Sequence, residues 1–365
     1  MSRIHVTYRV KSEAGAIEAR AEAIALEQSV ELPREVVDDP VVKAEIIGRV
    51  EAIDARGDGF FAVRIGLAEA TTGLEVGQLM NMAFGNTSIQ DDVVLEDIEL
   101  TPALIATFGG PRQGLEGFRR RTSAARRALT CSALKPQGLP ADALAALAGQ
   151  MARGGIDLIK DDHGLADQAF SPFDARARAC AAAVREANRA TGGRTVYLPS
   201  LSGNLDQLRR QVVVLREIGL DTALVAPMVV GLPAFCALVR ENADLAFMAH
   251  PAMAGAQRIA PPLLLGKLFR LFGADATIFP NHGGRFGYTP ETCRAIAAAA
   301  RHEWAGLRPS VPVPAGGMSL ERVTEMLYFY GPDTILLIGG GLLAARERLS
   351  AETARFVKRV AEHVS

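Results

Sequence analysis

From about residue 126 to the C-terminus the chain repeats one unit eight times: a short apolar run, then an Ala- and Leu-rich stretch at helical spacing. The runs fall at 128–133, 156–160, 195–199, 222–225, 245–249, 276–279, 311–314 and 334–338. Runs of this length, apolar throughout and bounded by turn residues, read as strands covered on both faces. Strict strand–helix alternation demands a parallel sheet, and eight such units close a (β/α)8 TIM barrel. An open doubly wound sheet is the competing reading, but no GxGxxG follows the first strand. The expected class is therefore α/β.

The first 125 residues follow a different rhythm. Segments 4–10, 41–55, 60–68 and 93–100 read as strands, and 13–28 and 74–84 as helices. Gly57-Asp58-Gly59 has the chemistry of a hairpin turn. Strand, helix, strand, strand, helix, strand is a split βαβ pattern, so a ferredoxin-like α+β domain is expected over 1–125 and the barrel over 126–365. The connector 111–127, PRQGLEGFRRRTSAARR, marks the boundary, and its arginines read as a solvated face rather than an anion site.

Charge and cysteine usage exclude several classes. Forty basic residues against forty-one acidic leave a net charge of −1, with no excess for nucleic acid or a membrane surface. The longest apolar run, 334–345, is too short for a bilayer and holds three glycines. The N-terminus lacks a secretory core, so a cytoplasmic location is expected. Cys131, Cys180, Cys236 and Cys293 lie far apart without a CxxC pair, against a disulfide scaffold or a cysteine zinc site.

In a barrel the chemistry sits where strands end. Lys135 follows the first strand, as a base or carbonyl-polarising group, or else as a rim lysine in water. Lys160 and Asp162 share one face of the second strand by its period of two, and His163 follows. This trio holds a divalent metal if Lys160 loses its charge; Mg²⁺ prefers oxygen, which carbamylation of the amine by CO₂ would supply. The bland reading is a salt-bridged loop. His250 ends the fifth strand. The loop 279–288, FPNHGGRFGY, is a candidate lid with Arg285 at its tip, or a plain surface loop. Gly316-Gly317 and Gly339-Gly340-Gly341 follow the last two strands, where bare backbone N–H groups can approach a phosphate or where packing simply needs small residues.

Taken in chain order, these motifs resemble the large subunit of ribulose-bisphosphate carboxylase (RuBisCO) and the RuBisCO-like proteins. Leu134-Lys135-Pro136 is similar to the family's catalytic-lysine motif, and 154–162, GGIDLIKDD, to its metal motif with a carbamylated lysine on Mg²⁺. His250 and the two glycine turns match as well. Phe84-Gly85-Asn86 and Glu27 resemble the segments that reach into a partner subunit's site, which implies a homodimer with sites at the interface; no small subunit is implied.

The departures matter as much. Gln137 stands where a carboxylase has a second lysine, and His163 where the metal motif ends in a carboxylate. Pro251, Phe279 or Pro280, and Ala315 stand at the arginine, histidine and serine that clamp a second phosphate. The mobile-loop lysine is absent, with Arg285 the nearest cation. The resemblance so read implies no CO₂ fixation. It implies Mg²⁺-dependent enolisation of a ketose monophosphate through an enediolate, with Lys135, the Lys160 carbamate and His250 as candidate bases. Isomerisation of 5-methylthioribulose 1-phosphate in sulfur salvage leads. A decarboxylase or transcarboxylase/hydrolase of a 3-oxo sugar-acid phosphate from apiose catabolism, or a silent sugar-phosphate-binding homologue, are the alternatives. Met228-Val229-Val230 and Phe286 offer an apolar patch for a methylthio group, or ordinary packing.

Overall fold

The computed structural model describes residues 1–122 and 124–363. It divides into two compact units, Met1–Gly109 with Met253–Leu264, and Gly110–Ala252 with Leu265–Ser365. The division falls ahead of the expected boundary at 125, and one segment from beyond residue 250 joins the first unit.

The first unit holds β1 (Arg3–Lys11), β2 (Arg49–Gly57), β3 (Phe60–Ala68) and β4 (Val93–Glu99), with helices Ile17–Glu27 and Val76–Phe84 between them. The strands pair antiparallel in the order β2-β3-β1-β4, the split βαβ topology. In β1 every second side chain, Ile4, Val6, Tyr8 and Val10, is fully buried, as one covered face requires. The β2–β3 turn is tight because Asp58 (φ 51°) and Gly59 (φ 74°) both take the left-handed conformation of a type I′ hairpin. The strand expected over 41–55 begins only at Arg49; Val42–Ile46 forms a helical turn instead. Asp39 Oδ1 accepts the N–H groups of Val41 and Val42 at 2.8 and 3.0 Å, an N-terminal cap that overrides the β-branched composition. β4 is an edge strand, and the joined segment covers it: Leu95 N–H donates to the Arg258 carbonyl and Ala260 N–H to the Leu95 carbonyl, each at 2.9 Å.

The second unit is the barrel. Its strands are β5 (Leu129–Leu134), β6 (Leu158–Asp161), β7 (Val196–Leu198), β8 (Ser200–Leu201), β9 (Thr222–Val225), β10 (Ala246–Ala249), β11 (Ala276–Pro280), β12 (Val311–Ala315) and β13 (Ile335–Leu337). All neighbours run parallel in the order β7-β6-β5-β13-β12-β11-β10-β9-β8. The terminal members β7 and β8 are one extended run interrupted at Pro199, which cannot donate to the ladder. Eight strands in this sense bring the sheet round on itself, and each lies within a residue or two of its expected place. Leu129, Cys131, Leu158, Leu198, Leu224, Met248, Ile278, Val313 and Ile335 fill the interior together with Phe118.

Phe118 belongs to helix Gly114–Arg121, in the connector. Three of the connector's arginines are ion-paired, while Arg120 and Arg126 are exposed. Arg119 meets Asp333 at 2.9 Å, Arg121 meets Asp221 at 2.7 Å, and Arg127 meets Asp157 at 2.6 Å. Each of these aspartates stands just before a barrel strand, at the end opposite the expected chemistry. Among the described residues no helix is long and apolar enough to cross a membrane.

Candidate active site

The C-terminal ends of β5, β6 and β10 bring five of the expected side chains together. Lys135, just past β5, donates from Nζ to Asp162 Oδ1 at 2.6 Å. His163 Nδ1 lies 3.4 Å from that same oxygen. The His163 ring stacks on His250, with centroids 4.1 Å apart and planes within 8°. Lys160 is only 3% exposed, and its Nζ donates to the Asp161 carbonyl at 3.0 Å.

The pleat of β6 explains the division of labour. Asp161 points the opposite way from its neighbours and has no solvent access. Its carboxylate accepts Arg176 Nε at 2.9 Å, the Tyr197 hydroxyl at 2.7 Å and the Ser200 N–H at 3.0 Å. Arg176 in turn donates to the Ser171 and Ala166 carbonyls at 2.6 and 2.8 Å. This satisfied buried network holds the strand that presents Lys160 and Asp162. Sequence reading missed it; the only signal was an arginine in an otherwise apolar helix face.

Electrostatics sharpen the cluster. Burial pushes the Lys160 amine below its ordinary value; the Cys131 and Asp162 charges oppose that shift, and Lys135 reinforces it. Burial raises the Asp162 carboxyl, but hydrogen bonds from His163 and Lys135 and the nearby Lys160 charge outweigh it and hold Asp162 ionised, well below the usual carboxylate range. Burial and then the charges of Lys160 and His163 bring His250 down to about 2, so its ring is neutral. His250 Nδ1 accepts the Ala252 N–H at 3.1 Å, which leaves the ring proton on Nε2.

The two glycine turns differ. A Cβ on Gly339 would lie 4.0 Å from Lys135 Cε, and one on Gly340 would meet nothing, so this turn opens onto space beside Lys135. Gly316 and Gly317 take φ of 78° and 65°. A Cβ on Gly317 would sit 2.6 Å from Gly284 Cα, so here backbone meets backbone. Arg322 Nη1 ties the same two loops, donating to the His282 and Gly317 carbonyls at 3.1 and 2.9 Å. Asn281 is 1% exposed and accepts the Tyr330 hydroxyl at 2.6 Å, which anchors the loop's start. Arg285 lies on the exposed stretch, its guanidinium 4.9 Å above the Phe286 ring. Gln137 donates to the Gly164 carbonyl at 3.1 Å and joins the loops after β5 and β6.

Asn86 and Glu27 belong to the first unit, where they meet directly. Asn86 Nδ2 donates to Glu27 Oε1 at 2.9 Å and to Glu31 Oε1 at 3.2 Å. Both donor positions of the amide are thereby used, and Oδ1 remains as an acceptor. Glu31 had no sequence signal; it stands at φ 54° just past the helix end.

The donor chemistry fits a hard divalent cation. Among the described residues no three His, Cys, Asp or Glu side chains converge to hold one. Asp162 and His163 supply two donors, and the buried Lys160 amine, disposed to lose its proton, is the group beside them that carbamylation would turn into an oxygen ligand.

The chain is similar to known proteins along nearly its whole length. Residues 114–351 match the model of the ribulose bisphosphate carboxylase large chain, catalytic domain. A 5-methylthioribulose-1-phosphate isomerase of Rhodospirillum rubrum is 62% identical, over 98% of this chain and 96% of that protein. A 2,3-diketo-5-methylthiopentyl-1-phosphate enolase of Geobacillus thermodenitrificans is 32% identical, over 94% of this chain and 88% of that protein. The crystal structure of a Rubisco-like protein from Rhodopseudomonas palustris superposes with a TM-score of 0.94 at 55% identity, covering 100% of this chain and 99% of that one.

Proposed function

We propose, for a chain that belongs to the RuBisCO large-chain family as a RuBisCO-like enzyme, that it enolises a ketose monophosphate and isomerises 5-methylthioribulose 1-phosphate. The observation that carries this reading is the 2.6 Å contact of Lys135 with Asp162, beside the open turn at Gly339. It places an amine, an ionised carboxylate and bare backbone N–H groups around one space. The naming of the Rhodospirillum rubrum relative supports the substrate, and the enolase relative supports the shared enolising step.

In this reading Lys160 (as its carbamate), Asp162 and His163 hold Mg²⁺. When bound, the cation polarises the keto oxygen and the adjoining hydroxyl so that the α-hydrogen becomes acidic. The phosphate rests on the N–H groups of Gly339, Gly340 and Gly341, with Gly316 and Gly317 bordering it on the adjacent strand end. His250, whose Nδ1 is taken by the Ala252 N–H, presents a protonated Nε2 and donates a hydrogen bond to a substrate oxygen. Lys135 and Lys160 remain as the groups that take the proton and return it at the neighbouring carbon. Asp161, Arg176 and Tyr197 keep β6 in register beneath them. Asn86 and Glu27 complete the site of a second copy, so the working unit is a homodimer in the cytoplasm, with no nucleic acid, membrane or small subunit as partner.

The test is proton exchange. Incubation of the enzyme with Mg²⁺, CO₂ and 5-methylthioribulose 1-phosphate in D₂O should give deuterated isomeric product. Absence of both exchange and isomer would overturn the reading. Lys160→Ala should abolish exchange with the fold intact, and full activity in that variant would refute its role.

A further inference from the structure

In the first unit, two consecutive residues at one helix end face two consecutive residues just past another. Glu27 and Gln28 close the helix Ile17–Glu27, and Asn86 and Thr87 follow the helix Val76–Phe84. The outer rung is the Asn86–Glu27 contact, which borders a cavity of about 160 Å³ together with Glu31. The inner rung is hidden. Gln28 is 3% exposed and Thr87 is fully buried, and the Thr87 N–H donates to Gln28 Oε1 at 3.1 Å.

The Gln28 amide also grips the chain on the other side of the turn. Its Nε2 donates to the Asn81 and Met82 carbonyls at 3.1 and 2.8 Å. These lie in the last helical turn, where carbonyls run out of partners within the helix. Both donor positions and an acceptor of one buried side chain are thus engaged. The Tyr8 hydroxyl caps the next carbonyl, Ala83, at 2.5 Å, so the helix end has a second support that does not involve Thr87. The turn between is close-packed: a Cβ on Gly85 would lie 2.6 Å from the Asn81 carbonyl oxygen. An exposed contact between flexible side chains, such as Asn86 with Glu27, fixes little by itself, because ordering them costs entropy. Stranding the buried partners of Gln28 costs more. The inner rung therefore sets the spacing of the outer one.

We infer that Gln28 is a positioning residue for the reaction: by bridging the carbonyls of residues 81 and 82 to the N–H of Thr87 it holds Asn86 against Glu27 in working geometry. This rests on the proposed function, which puts Asn86 and Glu27 in the site of a second copy, and deepens it by naming what aligns them. Gln28 itself touches neither substrate nor metal.

The test compares Gln28→Met, close in size but without the amide, with Tyr8→Phe, which loses the neighbouring cap of the same helix. Hydrogen–deuterium exchange over residues 81–88 of the substrate-free protein should quicken about tenfold in Gln28→Met. In the isomerisation assay kcat should fall at least about tenfold in Gln28→Met and stay within about twofold in Tyr8→Phe, since misplacing a functional group costs rate where loss of a cap costs stability. Adding Gln28→Met to Asn86→Ala should lower the residual rate no further, because both act through one group. An unchanged kcat or unchanged exchange in Gln28→Met, an equal kcat loss in Tyr8→Phe, or losses that multiply with Asn86→Ala would overturn the inference. If Gln28→Met does not fold, Gln28→Asn, whose shorter amide stays polar but no longer spans the turn, takes its place with the same expectations. The exchange measurement needs no turnover. A protein that isomerises nothing yet shows the quickened exchange would keep Gln28 as the clamp on Asn86 and remove the isomerase reading alone.

Discussion

Arg176 and Asp161 are among the charges that the barrel hides completely, and they face each other. Each is satisfied by the other and by neutral partners, so removing one strands the other in a low-dielectric interior. Arg176→Met should therefore cost about 3–5 kcal/mol in urea unfolding; a loss below 1 kcal/mol would mean the pair is not what holds β6. His250 sets a pH dependence in the metal-free protein. The unfolded chain protonates it near 6.5 and the folded one only near 2. Between those values unfolding takes up a proton, so stability falls as pH is lowered from about 6.5. The urea midpoint should drop through that window, and His250→Asn should flatten the slope. At this scale much of the candidate cluster was legible: Lys135, Lys160, Asp162, His163 and His250 all stand at strand ends. Their supports were not, because Tyr197, Ser200 and Arg176 reach Asp161 only once three separate segments have met.

Among the elements, the two glycine turns invite opposite expectations. Gly317 is left-handed and against the Gly284 backbone, so Gly317→Ala has both strain and a clash to relieve. It should lower the melting temperature by several degrees and expose the 281–288 loop to protease. Gly340 faces open space and starts a helix, so Gly340→Ala should leave the melting temperature unchanged. Its methyl group would stand where the proposed function puts the phosphate, and on that proposal KM for the sugar phosphate should rise about tenfold or more. Equal effects of the two substitutions on stability would contradict this division. The strands themselves could be read from composition because parallel barrel strands are apolar on both faces. The exception was 41–55, where valines and isoleucines suggested a strand. There Asp39 begins a helical turn over Val42–Ile46 before β2 starts at Arg49, a local cap that composition does not reveal.

For the whole molecule, the contact of Asn86 with Glu27 in one unit and the presence of Lys160 in the other yield a complementation experiment. If each copy lends its Asn86 to the other's Lys160, the variants Asn86→Ala and Lys160→Ala should each be nearly inactive alone. Refolded together in equal amounts, they should recover about a quarter of the full activity, since half the random dimers then carry one intact site. No recovery in co-refolded dimers would place both residues in the same chain's site. The two-unit plan was visible as a change of rhythm along the chain. Its recruitment of Met253–Leu264 was not, since a segment between barrel elements carries no local mark of belonging elsewhere.

That recruitment bears on how the protein comes into being. The open flank of β4 receives Arg258 and Ala260, which leave the ribosome only after half the barrel has been made. During synthesis the N-terminal sheet must linger with an unsealed border, exposed to pairing with a neighbouring nascent chain. The first-made unit is in this sense among the last to be finished, and a stall before Leu264 would release a product prone to aggregate.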